Sequence, residues 1–303
     1  MTFPNNFLSR KLKDEFFLYI KEDITMGMTI RNNISSLNAQ RILRNTLNDY
    51  NKSMEKLSSG YKINRAADDA AGLAISERMR TQIRGLKVAS GNASNGIELC
   101  KTADGALEQV QNMLQRMSDL AIHAQDGATS AEDAAADQAE ANELIKEITR
   151  IADTTKFNGK TLLDGTLKTD GINFMVGYTA ADANKINLKI ADMTSKGLGL
   201  ATGDPGTPID IKTADSLTTI QTAIQTVSTN RATIGATQNR LDYTVKNLDT
   251  IRENTASAES RIRDVDVAEE EANATAMQLL YNSGISTLMK AMQNQQSLLN
   301  LLG

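Results

Sequence analysis

Proline is almost absent from this chain, and its placement constrains the fold more than any other sequence feature. The three prolines are Pro4, Pro205 and Pro208, so residues 5–204 and 209–303 contain none. A proline inside a helix costs about 3 kcal/mol, because it lacks an amide hydrogen and its ring clashes with the preceding turn. Two proline-free stretches of this length favour two long helical arms, joined near the last two prolines.

Apolar residues recur every seven positions in both arms, as in helices that bury one narrow seam. The first arm keeps this spacing without a miss at Met79, Leu86, Ala93, Cys100, Leu107, Leu114 and Ala121. The second arm keeps it at Ile220, Val227, Ile234, Leu241 and Leu248. A shorter helix is indicated by Ala141, Leu144, Ile148 and Ile151. The spacing predicts a mainly α protein, an elongated rod built as a long antiparallel helical bundle or coiled coil.

Composition agrees with narrow helical seams. Aromatic residues form 4% of the chain and tryptophan is absent, whereas broad globular cores draw much of their buried area from aromatic rings. The formal net charge is -4, which gives no electrostatic basis for a nucleic-acid partner or a membrane surface. No apolar run reaches the roughly 18 residues that a membrane-spanning helix needs.

The pattern changes between residues 157 and 200, where glycines interrupt the chain and apolar residues alternate with polar ones. Alternation with a period of two is typical of β-strands. It is found first at Ile172, Phe174 and Val176, and then at Ile186, Leu188 and Ile190. We therefore predict one small β-hairpin, with residues 179–184 joining its strands.

The outermost helices have little in their own arm to pack against. Each is one amphipathic helix with apolar residues three and four apart, and such a helix is marginally stable alone in water. We therefore predict that the two pair with each other or with other subunits. The predicted assembly seam consists of Leu43, Leu47, Leu57, Ile285, Leu288, Met292, Leu299 and Leu302.

The first 25 residues differ from the rest of the chain. They hold five of its twelve aromatic residues, namely Phe3, Phe7, Phe16, Phe17 and Tyr19. Codons for the residues just before Met26 can also contain a bacterial ribosome-binding sequence. We expect residues 1–25 to be a non-native leader and Met26 to be the natural start. The alternative is a genuine N-terminal extension.

The sequence offers no constellation for catalysis, a cofactor or a metal. His123 is the only histidine, and no motif in the sequence assembles a cysteine–histidine metal cluster or a Ser-His-Asp set around it. Cys100 lies in the heptad seam, where we expect a small buried hydrophobe and not a reactive thiol. Asp264, Asp266 and the glutamates at 269–271 are interpreted as the capped start of the last helix, with a calcium cluster as the alternative.

Ordered motifs in both arms resemble those of bacterial flagellin. They are residues 33–40 (NISSLNAQ), 57–64 (LSSGYKIN), 68–72 (DDAAG), 102–107 (TADGAL), 156–159 (KFNG), 260–266 (SRIRDVD) and 298–303 (LLNLLG). The resemblance extends from about residue 28 to residue 303. It implies a structural filament subunit for swimming motility that is not an enzyme.

The resemblance also implies a domain organisation. Residues 26–70 with 263–303 correspond to the terminal coiled-coil domain that forms the inner tube of the filament. Residues 71–200 with 215–262 correspond to a helical rod domain with a β-hairpin. Residues 201–214 form a short linker in the place where most flagellins carry outer variable domains.

The resemblance further implies a location and a set of partners. The chain is expected in the extracellular flagellar filament, as a homopolymer without a cofactor. Its expected partners are the flagellar export apparatus, a flagellin chaperone, and the cap and hook-junction proteins. It has no expected nucleic-acid partner or membrane insertion.

Residues 115–122 resemble the part of flagellin that the innate immune Toll-like receptor recognises. Arg116 and Leu120 match contact positions of that family segment, as does Glu140 on the adjoining helix. Ser118 replaces a usual arginine, and His123 stands where glutamine is usual. The alternative is that this face packs against neighbouring subunits, in which case only the free monomer would bind a receptor.

Three other roles remain open from the sequence. A hook–filament junction protein has similar termini, and its low copy number would distinguish it. A soluble signalling or adhesion module built on a helical bundle would stay monomeric when seeded. An enzyme would need a polar site that the residues do not supply.

Overall fold

The computed structural model of the protein describes residues 32–179, 181–202 and 207–302. The described chain contains five α-helices: α1 (Ile34–Ser59), α2 (Ala70–Ala124), α3 (Ala131–Thr154), α4 (Ala214–Arg263) and α5 (Val267–Leu302). The expectation about residues 1–25 and Met26 lies outside the described residues.

The strands form three antiparallel pairs in the described residues. These pairs are β1 (Lys156–Phe157) with β2 (Lys160–Thr161), β3 (Ile172–Met175) with β4 (Lys185–Leu188), and β5 (Ala201–Thr202) with β6 (Thr207–Pro208). A short 3-10 turn, Asp182–Asn184, precedes β4. The predicted mainly α fold with a small hairpin is confirmed, and the sequence did not indicate the two shorter hairpins. None of the described helices is long and apolar enough to cross a membrane.

The chain divides into two compact units. One, here called the terminal unit, holds the described residues up to Leu73 and those from Ile262 onward. The other, the middle unit, holds Ala74–Arg261. The terminal unit therefore draws on both ends of the chain, as the first and last helices were predicted to pair.

Helices α1 and α5 of the terminal unit lie antiparallel to each other. At one end the Asn33 side-chain amide donates to the Ala291 carbonyl oxygen over 3.1 Å. At the other, Lys56 Nζ lies 3.4 Å from Glu270 Oε2. A Cβ added to Gly284 would lie 3.0 Å from Leu43 Cδ1, so glycine lets the two helices approach closely there.

Three aspartates of the terminal unit accept hydrogen bonds from nearby backbone amides, and two of them lie at helix starts. Asp68 accepts from the backbone amides of Arg65 and Asn64 at 2.9 and 3.1 Å, and these hydrogen bonds lower its pKa. Asp69 accepts from the Gly72 amide at 2.9 Å, at the start of α2. Asp266 accepts from two amides in the first turn of α5, which confirms the predicted capped start.

The segments that join α1 to α2 and α4 to α5 also pair with each other. The Lys62 amide donates to the Arg263 carbonyl oxygen at 2.7 Å, and the Val265 amide donates to the Gly60 carbonyl oxygen at 3.0 Å. The Arg263 guanidinium lies 4.8 Å from the centre of the Tyr61 ring. These contacts join the two halves of the terminal unit at the ends of its paired helices.

The middle unit buries the predicted seams in one main apolar core and a small second cluster formed by Leu86, Ala89 and Leu248. From Leu86 to Ala121 every heptad position of α2 is buried, and so is every heptad position of α4 from Ile220 to Leu248. Helix α3 adds the fully buried Ala141 and Ile148. Met79, the first position of the predicted seam, is only half-buried.

Cys100 occupies the middle of the core. It is fully buried, and desolvation of the thiolate raises the pKa of its thiol to about 11. The prediction of a small buried hydrophobe is therefore confirmed, and the thiol stays protonated at neutral pH.

The β3–β4 hairpin packs against α2 at two glycines. Its register pairs Phe174 with Ile186, so both side chains lie on the face that joins the core. A Cβ added to Gly96 would lie 3.0 Å from Phe174 Cδ1, and one added to Gly85 would lie 2.8 Å from the Cβ of Tyr178. Both glycines therefore sit where the hairpin approaches the helix closely.

The segment before α4 is anchored by two glutamines. Gln125, which directly follows α2, donates to the carbonyl oxygens of Ile211 and Thr213 at 2.9 and 3.0 Å. Gln138 of α3 donates to the Ile209 carbonyl oxygen at 3.0 Å and accepts from the Ile211 amide at 2.9 Å. Ile211 is fully buried, so this part of the predicted linker is packed into the middle unit.

Candidate assembly and recognition surfaces

The terminal unit exposes large apolar side chains. Leu279 and Leu280 of α5 are 66% and 58% exposed, although each could contribute about 2 kcal/mol if buried. Other exposed apolar residues of the pair are Ile34, Leu37, Ile42, Leu47, Met54, Val267, Met289 and Met292. Among the described residues of this unit, only two apolar side chains are buried, those of Ile63 and Ala274. One copy of the chain therefore leaves the apolar surface of this helix pair largely in water.

Part of this surface forms a groove of about 430 Å³ between α1 and α5. Apolar side chains on its walls include Ile34 and Ile42 of α1 and Leu280 of α5. The remaining lining residues are small or uncharged: Ser35, Asn38, Ala39, Ser283, Gly284 and Thr287. An uncharged groove with apolar walls is suited to apolar side chains of another polypeptide, and it has no charge with which to hold an ionic ligand.

The predicted assembly-seam residues divide into three groups. Leu43, Leu57, Ile285 and Leu288 are half-buried. Leu47 and Met292 are exposed, so they are available to another copy. Leu299 and Leu302 lie in α5 but outside the residues whose side chains the structure describes.

Sequence reasoning missed several residues of the exposed surface, notably Leu37, Ile42, Leu279 and Leu280. The spacing of three and four selects one stripe on each helix, and adjacent residues such as 279 and 280 cannot both lie on it. The missing signal was the set of small residues. Ser36, Ser53 and Ala274 are buried. Small side chains therefore fill the buried positions of these two helices, and large apolar side chains remain on the outer surface.

The second candidate surface lies on α2 and α3 of the middle unit. Arg116 makes a two-pronged ion pair with Glu140, with Nε 2.8 Å from Oε1 and Nη2 3.2 Å from Oε2. The hydrogen bonds that Arg116 donates to Glu140, together with the Glu140 charge, raise the pKa of Arg116. Both side chains are about half exposed, so the pair is presented to solvent while it links the two helices.

His123 forms a second link between the same helices, in the last turn of α2. Its Nδ1 lies 2.6 Å from Asp137 Oδ2 of α3. This hydrogen bond and the Asp137 charge raise the pKa of His123, with smaller contributions from Asp133 and Asp126. Near neutral pH the ring is therefore more protonated than a free histidine would be.

Leu120 does not belong to the exposed face. It is 4% exposed and lies in the core of the middle unit. The structure thus brings three of the four predicted recognition residues, Arg116, His123 and Glu140, to the surface and places the fourth beneath it. Leu120 can support the position of this face, but its side chain is not available for direct contact.

Among their described residues, neither surface brings together the side chains that a metal site needs. Within the described residues there is no group of three or more histidine, cysteine, aspartate or glutamate side chains placed to hold a metal ion. The nearest approach to such a site, His123 with its aspartates, is accounted for by the link between α2 and α3.

Both the N-terminal and the C-terminal parts of the chain are similar to known proteins. Residues 30–168 match the family described as the bacterial flagellin N-terminal helical region, and residues 217–302 match the bacterial flagellin C-terminal helical region. A flagellin of Halalkalibacterium halodurans is 43% identical over 275 residues, which cover 91% of this chain and 100% of that protein. The flagellar filament 33 kDa core protein of Treponema phagedenis is 41% identical over 287 residues, with coverages of 91% and 100%.

One solved structure is similar in fold. It is described as a candidate flagellar hook-associated protein from Vibrio parahaemolyticus. It superimposes with a TM-score of 0.51 at 14% identity, and the match covers 65% of this chain and 100% of that one. Identity this low shows a shared fold and nothing about a shared role.

Proposed function

The chain belongs to the bacterial flagellin family, and we propose that it is the structural subunit of an extracellular flagellar filament for swimming. Flagellins are structural proteins and not enzymes, in agreement with the sequence prediction. The observation that carries the proposal is the apolar surface of α1 and α5, which a single copy leaves exposed.

Assembly follows from this surface. When the α1–α5 pair of one copy packs against pairs of other copies, apolar area leaves water at about 25 cal/mol per Å². That free energy offsets the cost of ordering helices that are marginal alone. An interface between unlike surfaces that does not close on itself grows into a helical filament.

The two units are proposed to take different places in the filament. Residues 26–70 with 263–303 would form the inner tube, where neighbouring copies cover the exposed leucines. Residues 71–200 with 215–262 would form the outer rod. This assignment is supported by the middle unit's main apolar core, which is buried within a single copy.

The remaining partners are proposed from family membership. They are the flagellar export apparatus, a flagellin chaperone, and the cap and hook-junction proteins. A role at the hook–filament junction is the nearest alternative. The full-length similarity to a filament core protein favours the filament subunit. Quantifying copies per flagellum separates the two, because a junction protein is scarce.

The proposal is tested by seeded polymerisation, followed by negative-stain electron microscopy. Protein starting at Met26 is compared with the same chain lacking residues 263–303. We expect thin filaments from the longer chain and none from the truncated one, because truncation removes α5. If both remain monomeric, the terminal helices serve another partner, and the junction or soluble-module roles are favoured.

A second proposed function is recognition of the free monomer by the innate immune flagellin receptor. It is favoured by the exposed Arg116–Glu140 pair, which holds charged groups of both signs in a fixed arrangement on the α2–α3 face. If neighbouring copies cover this face, the filament will not bind. Leu120 would act by supporting the helix, since it is buried.

A receptor reporter assay on purified monomer tests this second function. Arg116→Ala should reduce the response, because it removes the guanidinium and releases Glu140. Arg150→Ala is a matched control, since Arg150 forms a similarly exposed pair with Glu147 on α3. No response to the parent chain, or an equal loss in both variants, would refute a specific role for Arg116.

A further inference from the structure

The sequence contains two Asn-Gly pairs, Asn95–Gly96 and Asn158–Gly159. An asparagine followed by glycine can lose its side-chain amide spontaneously, because no side chain on the glycine hinders attack by its backbone nitrogen. We propose that Asn158–Gly159 is a site of spontaneous deamidation in the folded protein, whereas the fold protects Asn95–Gly96. This inference is independent of the filament role.

Asn158 and Gly159 form the exposed tip of the β1–β2 hairpin. Phe157 pairs with Lys160 across the turn, and the two tip residues have positive φ angles of 47° and 79°. Two positive φ angles are characteristic of the two-residue hairpin turn that Asn-Gly favours. A Cβ added to Gly159 would meet no atom within 4 Å, so the tip has room to rotate.

The hairpin also presents little resistance to opening. Each of its strands has only two residues. Two-stranded hairpins are marginally stable, and short ones open readily at their tips. Asn158, Gly159 and Lys160 are all exposed, so water can reach the tip from several sides.

Asn95–Gly96 lies in a different environment. It is in the interior of α2, where each backbone amide donates to the carbonyl four residues earlier. Gly96 is buried, with the Cβ position 3.0 Å from Phe174 Cδ1 and 3.1 Å from Leu241 Cδ1. Rotation of this backbone toward ring closure would break helix hydrogen bonds and displace the packed hairpin.

The reaction at the exposed pair is balanced by water alone. The Gly159 nitrogen forms a bond to Asn158 Cγ while the bond from Cγ to the side-chain nitrogen breaks. The proton from the Gly159 amide accounts for the third hydrogen of the ammonia that leaves. Water then opens the cyclic imide at either carbonyl and gives aspartate or isoaspartate.

The modification would affect the nearby core. Isoaspartate lengthens the backbone of a two-residue turn and disturbs the pairing of Phe157 with Lys160. Leu162 and Leu163, which follow the hairpin, are fully buried. The Leu162 amide donates to the Thr155 carbonyl oxygen, and the Met193 amide donates to the Leu163 carbonyl oxygen. The hydrogens of these two amides should therefore exchange with solvent faster after modification.

Hydroxylamine tests the proposal, because it cleaves the chain at the cyclic imide. We expect native protein to be cut between Asn158 and Gly159 only, and protein in denaturant to be cut at both Asn-Gly pairs. Asn158→Gly is the control, since glycine accepts the positive φ angle and has no side-chain amide to lose. It should abolish the native cut and keep the cut after Asn95 in denaturant.

Peptide mapping of aged native protein gives an independent readout. Conversion of amide to acid should accumulate at residue 158 several-fold faster than at residue 95. Equal rates at both pairs would overturn the proposal. So would the absence of cleavage after Asn158 in native protein under conditions where the denatured chain is cut there.

Discussion

The terminal and middle units use the same kind of sequence pattern with opposite outcomes. In the middle unit, the repeating apolar residues of α2 from Ala93 to Ala121 and of α4 from Ile220 to Leu241 meet across one core and are buried. In the terminal unit, α1 and α5 meet each other through small residues, and large side chains such as Leu280 remain exposed. The difference shows that apolar periodicity predicts a helix and its interacting face, but not whether the partner belongs to the same copy.

The number of available neighbours explains this difference. Helix α2 is accompanied by α3, α4 and the β3–β4 hairpin within its own unit, so its apolar face is covered from several directions. Within the terminal unit, the main packing neighbour of α1 is α5, and that of α5 is α1. Two helices can bury one stripe apiece, and any wider apolar surface requires further helices from other copies.

The largest expected effect contrasts one core leucine with one exposed leucine. Leu114→Ala should lower the free energy of unfolding of the monomer by about 2–5 kcal/mol, because it leaves a cavity in the middle unit. Leu280→Ala should change it by about 0.5 kcal/mol or less, since that side chain is already exposed. Urea unfolding followed by circular dichroism measures both.

The same pair of variants should reverse its order in assembly. Leu280→Ala should raise the protein concentration needed for seeded filament growth, whereas folded Leu114→Ala should grow near the parent concentration. Equal destabilisation of the monomer by the two substitutions would remove the contrast between the units.

The second-largest expected effect on stability distinguishes a closely packed glycine of α2 from one whose Cβ position is open. Gly96→Ala should destabilise the middle unit by about 1–3 kcal/mol, because the new methyl group presses on Phe174 and Leu241. Gly105→Ala is the control: its Cβ position is open, so better helix propensity should stabilise the protein by about 0.5–1 kcal/mol. Thermal unfolding that shows the same sign for both variants would contradict the hairpin packing.

The smallest expected effect is a pH dependence confined to the middle unit, which holds the only histidine. Because the folded-state pKa of His123 is raised, its stabilising link to Asp137 is fully present below the unfolded pKa of about 6.5. It is lost as pH rises through the higher folded-state value. His123→Gln should remove this dependence.

The pH effect can be followed at one residue. Nuclear magnetic resonance of the single imidazole gives the His123 pKa directly, and melts across the same range give the stability change. A His123 pKa at or below the ordinary value, or an unchanged pH profile in His123→Gln, would be inconsistent with the link.

The sequence predicted the parts of the fold that depend on local periodicity. The α2 seam from Leu86 to Ala121 and the hairpin between the alternating segments 172–176 and 186–190 are confirmed. The β5–β6 hairpin and the anchoring by Gln125 and Gln138 were not predicted. The anchoring depends on hydrogen bonds between residues more than 70 positions apart, for which periodicity gives no signal. The β5–β6 hairpin has only two residues in each strand, which is too short for an alternating pattern.

The candidate surfaces were predicted less completely than the fold. Arg116, His123 and Glu140 reach the surface, but Leu120 is buried, because α2 packs against α3 as well as α4 and its apolar face is wider than one heptad seam. The exposure of Leu279 and Leu280 depends on which small residues the paired helices share. That choice is made by tertiary packing and is not determined by the spacing of apolar residues.

The most direct test of the contrast is amide hydrogen exchange, measured by mass spectrometry on the monomer and on the filament. We predict that amides of α2 from residue 93 to 121 are protected in both states, because one copy completes their core. Amides of residues 34–59 and 267–293 should be weakly protected in the monomer and strongly protected in the filament. Equal protection of these terminal segments in both states would contradict the claim that assembly completes the terminal unit.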